Sequence, residues 1–167
     1  MSEGRTIRVD GRVHQPFELV RAALLADAKG IFSRASGVAS ERTEHASSAL
    51  RVKLAGLEIG KEIQIEMLGS FDLDRPNPSC PRETHIELRW SAIGKPALFP
   101  ILNGELVVQP SGAAETRLEL SGNYEPPWGA FGTVLDIVVG RRIAEASVRH
   151  LMQDVAAQLE QELAKQR

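Results

Sequence analysis

Apolar and polar residues alternate from Arg5 onward, with Ile7, Val9 and Val13 on one side and Arg8, Asp10 and Arg12 on the other. This is the period-two signature of a strand with one buried face. Pro16 then takes a first helical position, and Phe17, Val20, Ala23, Leu24 and Ala28 recur at helical spacing up to Gly30. A second short helix is expected to carry Ile31 and Phe32, with Gly37 closing the region, and the polar run from Ser40 to Ser48 reads as an exposed edge strand or a loop. Alternation returns with Leu50, Val52 and Leu54 against Arg51 and Lys53. It continues with Ile63, Ile65 and Met67 against Glu62, Gln64 and Glu66, and Gly56 and Gly60 bracket a turn. An antiparallel pair is the predicted result. Pro76, Pro78 and Pro81 cannot donate to a central ladder, so Ser70 to Glu83 reads as a long surface loop. Three further strands follow by the same test, in which Ile86, Leu88 and Trp90, then Leu106 and Val108, then Leu118, Leu120 and Tyr124 form the apolar sides.

The last stretch, Trp128 to Lys165, has helical spacing throughout, contains no proline and follows Pro126-Pro127. At ~1.5 Å per residue it would exceed about 50 Å and cross the whole molecule. Phe131, Leu135, Val138 and Val139 share a face with Trp128 in its first half, whereas Val148, Met152, Val155, Leu159 and Leu163 define a rotated face in its second. The predicted architecture is α+β: a curved antiparallel sheet of six or seven strands, two short helices after the first strand, and a long C-terminal helix as the cover. A twisted sheet of that width is broader than one helix, about 10–12 Å, so space is expected between them. From the sheet its lining would be Trp90, Phe99, Leu102, Leu106, Leu118 and Tyr124; from the helix, Trp128, Phe131, Leu135 and Val139. A solid core would use the same leucines. Trp90, Tyr124 and Trp128 are the better pocket candidates, because each pairs an apolar body with a polar atom. Arg142 falls in phase with Phe131, Leu135 and Val138 and has two readings: an inward anchor for an acidic head group, or a surface side chain paired with Glu145.

Composition narrows the function without choosing it. With 167 residues, 43% apolar and 25% charged, the chain is expected to be one domain spanning residues 1–167. A net charge of −2 and the lack of a basic stripe argue against nucleic acid as the partner. Cys80 is the sole cysteine, and the amino terminus shows neither a secretory apolar run nor an arginine-rich transit pattern, so a cytoplasmic location is expected. No apolar run approaches the roughly 18 residues that a transmembrane segment requires. Four scattered histidines and the lone pair Asp72 and Asp74 assemble no metal site, and no nucleophile elbow, phosphate loop or dinucleotide fingerprint is present. No cofactor or metal is expected, and no catalytic residue is assigned.

The order of elements resembles the helix-grip fold of the START and polyketide-cyclase (SRPBCC) superfamily. The resemblance covers nearly the whole chain. It is carried most specifically by Trp90-Ser91-Ala92, by Phe99-Pro100-Ile101-Leu102-Asn103-Gly104-Glu105-Leu106, and by Gly122-Asn123-Tyr124-Glu125-Pro126-Pro127 running into Gly129, Gly132 and Asp136. It implies a hydrophobic cavity between sheet and terminal helix, used across the superfamily for lipids, sterols, polyketides and plant hormones, with enzymes among the members. The chain departs from many relatives in its first helix, where no tryptophan precedes Trp90. The expected function is therefore binding of a hydrophobic small molecule or lipid. The alternatives are a cyclase, dehydratase or hydrolase using Tyr124, Arg142 or Asn103 as polarising groups, and an interaction module that docks through the helix's second half or Ser40 to Ser48.

Overall fold

A computed structural model of the chain describes residues 5–51, 63–92, 101–125 and 134–165. The elements are β1 (Arg5–Val13), α1 (Phe17–Arg51), β2 (Ile63–Asp74), β3 (Arg82–Ala92), β4 (Ile101–Gly112), β5 (Glu115–Glu125) and α2 (Val134–Ala164). The strands form one sheet in the order β1-β5-β4-β3-β2, antiparallel at every pairing. Five strands are thus seen among the described residues, where six or seven were expected. Leu50, the start of an expected strand, is helical, and Val52 and Leu54 lie outside the described residues.

The two short helices after β1 are in fact one long helical stretch with a break. Asp27 leaves helical geometry (φ −150°, ψ 47°), and its Oδ1 accepts the Gly30 amide at 3.0 Å. This is an N-cap, an aspartate side chain satisfying an amide that the second helix leaves open. The boundary therefore falls at Asp27 instead of Gly30, and the second helix runs on through Ser40 to Ser48 to Arg51. That polar run lacks an apolar period but also lacks proline, and Glu41, Arg42, Glu44 and Ala46 are compatible with helix.

The first part of the expected Ser70 to Glu83 loop is strand, the continuation of β2. The ladder steps from Met67 to Gly69 opposite Leu88 and Glu87, leaving Leu68 as a bulge. The extra residue reverses the faces, so Ile65 points to the core while Phe71 and Leu73, still odd-numbered, lie on the outer side opposite His85 and Glu83. The strand consequently reaches Asp74, and the loop expected from Ser70 to Glu83 shrinks to residues 75–81, closed by Arg75 N–H donating to the Pro81 carbonyl at 2.8 Å. All three prolines fall in that turn.

The core is shared by three layers of contributors. Ile7, Val9, Ile86, Leu106, Val108 and Leu120 line the sheet; Val20, Leu24, Ile31 and Phe32 come from α1; Leu151, Met152, Val155 and Leu159 come from α2. Thus α1 covers the sheet together with the terminal helix. Burial of Met152, Val155 and Leu159 removes the stripe on which docking by the second half of α2 would depend. The Met152 carbonyl approaches Gly11 so closely that a β-carbon there would lie 3.5 Å away. Further along, Glu160 Oε1 accepts the His14 amide at 2.7 Å. Gly11 precedes His14 and Met152 precedes Glu160, so α2 runs alongside β1 in the same direction.

Candidate functional site

Strand register brings three predicted lining positions into one line. Trp90 stands opposite Leu102, and Leu102 opposite Tyr124, so β3, β4 and β5 each place one at the same level. The next inward row holds Leu88, Gly104, Gly122 and Ile7, and the one after it Ile86, Leu106, Leu120 and Val9. A fourth holds Thr84, Val108, Leu118 and Gly11. The third row is completely filled, with Ile86 and Leu106 at 0% exposure. Leu118, a predicted lining residue, belongs to the fourth row and is fully buried in the core cluster. It is therefore three rows away from the level at which Trp90, Leu102 and Tyr124 meet, and Leu106, in the third row, is two rows away.

The helix can be set against these rows by counting back from Met152 at Gly11, in the fourth row. Rows recur every two residues, about 6.6 Å, so the first row lies ~20 Å from the fourth. At 1.5 Å per residue Val139 lies ~20 Å before Met152, level with the first row, and Arg142 ~15 Å before it, near the glycine row. Leu135 lies about one turn further out. The backbones thus bring Trp90, Leu102, Tyr124, Val139 and Arg142 to one end of the molecule. Phe99, Trp128 and Phe131 lie outside the described residues.

At that end the sheet's inward face carries two adjacent glycines. Gly104 and Gly122 are direct register partners, and both keep partial exposure although the third row beside them is buried. An ideal β-carbon on Gly104 would sit 2.7 Å from the Ser121 carbonyl oxygen, closer than real contacts allow. Neither position offers a side chain, so the inward surface is lower there than at the filled third row. Asn103, a candidate polarising group, is exposed on the opposite face, in register with Asn123.

Two polar clusters lie elsewhere. At the far end Arg21 binds Asp72, with Nε–Oδ1 at 3.2 Å, and Thr84 Oγ1 donates to the same carboxylate at 2.8 Å. Asp74 pairs with Arg82 at 3.0 Å. The two aspartates that resembled a cation pair are therefore engaged by arginines; beside them a shallow cleft of about 260 Å³ is lined by Phe17, Glu18, Asp74, Pro81, Arg82 and Pro110. On the outer face, Glu83 is 5% exposed and accepts from Arg75 at 2.8 Å and Gln109 Nε2 at 2.7 Å. The His85 ring faces Glu105 at 2.8 Å and Glu83 at 3.3 Å, and stacks on Phe71 with centroids 4.7 Å apart. Burial alone would raise the Glu83 pKa, but the hydrogen bonds from Arg75 and Gln109 outweigh it and leave the carboxyl below its ordinary value. His85, Glu105 and Gln109 alternate in sequence with the apolar positions Ile86, Leu106 and Val108 and so belong to the outer side. The sequence pattern puts Glu83 in a loop and carries no register, so it does not bring these residues together.

No family model and no curated protein matches this sequence. Among solved structures, a protein of Thermus thermophilus aligns over 98% of this chain and 100% of its own, at 15% identity and a TM-score of 0.46. An aromatase/cyclase from a Streptomyces species aligns over 98% and 96% at 19% identity and a TM-score of 0.47. Norcoclaurine synthase from Thalictrum flavum aligns over 98% and 88% at 12% identity and a TM-score of 0.41. Among the described residues, no helix is long and apolar enough to cross a membrane.

Proposed function

We propose that the chain is a helix-grip protein of the START and polyketide-cyclase kind, and that it holds a hydrophobic small molecule or lipid between the sheet and the first half of α2. The observation that carries this reading is the alignment of positions 90, 102 and 124 in one row, at the level of α2's first half and beyond the filled rows of the core. The site comprises Trp90, Phe99, Leu102 and Tyr124 from the sheet side and Trp128, Phe131, Leu135 and Val139 from the helix side. Leu118 belongs to the packed core at its closed end. Arg142, level with the glycine row, meets an acidic head group. Binding is driven by burial: each methylene removed from water contributes ~0.8 kcal/mol, so eight supply on the order of 6 kcal/mol before ordering costs. The enzymatic alternative loses Asn103, which faces away from this space.

Leu135→Trp tests the cavity by filling it. The variant is expected to keep most of its stability, whereas the same change in a solid core costs about 1–3 kcal/mol. A fatty acid at ~100 times its dissociation constant should stabilise the wild type by about 2.7 kcal/mol, measured as a shift in Tm, and Leu135→Trp should lose that shift. A badly destabilised variant, together with a wild type unmoved by a panel of apolar ligands, would mean that sheet and helix meet in a solid core.

A further inference from the structure

We draw no further inference here: the strongest candidate, the shallow cleft of about 260 Å³ between the start of α1, the β2–β3 turn and the end of β4, has its Asp74 and Arg82 already paired with each other at 3.0 Å, and nothing in the structure shows what would occupy it.

Discussion

At the scale of single residues, the break in α1 sets two local preferences against each other. The Asp27 carboxylate accepts the Gly30 amide and lies where a β-carbon on Gly30 would have to go. Replacing glycine by alanine inside a helix ordinarily stabilises by about 1 kcal/mol. Here the new methyl displaces the cap, and losing a cap costs about 0.5–2 kcal/mol. Gly30→Ala alone is therefore expected to be near neutral, Asp27→Ala to cost about 1 kcal/mol, and Gly30→Ala in the Asp27→Ala background to stabilise by about 1 kcal/mol. Urea unfolding of the four proteins measures the coupling. Identical effects of Gly30→Ala in both backgrounds would show that the carboxylate moves aside at no cost. The Asp-x-x-Gly pattern was visible in the sequence. Gly30 also fits the end of a helix, and the two uses differ only in which backbone group the aspartate reaches.

At the scale of elements, the β2–β3 hairpin is held by a buried charge. Glu83 closes on Arg75 in the turn, on Gln109 in β4 and on His85. Glu83→Ala leaves those donors without their acceptor and should cost about 2–3 kcal/mol, against a few tenths for Glu87→Ala on the exposed side of the same strand. Chemical denaturation separates the two; equal costs would reduce the Glu83 cluster to surface decoration. The same hairpin shows what a sequence conceals. Strands β1, β3, β4 and β5 and most of α2 were legible, because each keeps one period along its length. Leu68 breaks that period in β2, and the prolines at 76, 78 and 81 draw the whole of Ser70 to Glu83 into a loop, although they constrain only residues 75–81. The proposed site is written in the sequence only as a set of apolar positions at strand ends. Its arrangement is not, because the opposition of 90, 102 and 124, and of Gly104 and Gly122, depends on register between residues 12 to 22 positions apart, which no local pattern encodes.

At the scale of the whole molecule, three carboxylates join different elements, and each sits below its ordinary pKa. Asp72 is lowered chiefly by the hydrogen bond from Arg21, which ties β2 to α1. Glu160 is lowered chiefly by the His14 backbone amide, which ties α2 to the end of β1. Glu83 is lowered despite its burial, as described. A group whose folded pKa is depressed contributes stability above its unfolded value and loses it as pH falls through the folded one. Stability should thus be nearly flat above about pH 5.5 as far as these groups are concerned, and fall as pH drops below the ordinary values of 3.8 for Asp and 4.5 for Glu. In thermal melts across pH, Glu160→Gln should lower the plateau and flatten the acid limb; an unchanged acid limb would mean that this carboxylate titrates alike in both states. The Leu68 bulge has a consequence on the same scale. The last strand of the described sheet, β2, exposes Leu68, Phe71 and Leu73, the kind of edge onto which a stray strand from another molecule adds. An invading strand would need an unbroken run of equally spaced amides and carbonyls, and the extra residue at Leu68 breaks that run near its middle. The irregularity between Met67 and Gly69 thereby also works against polymerisation through this edge.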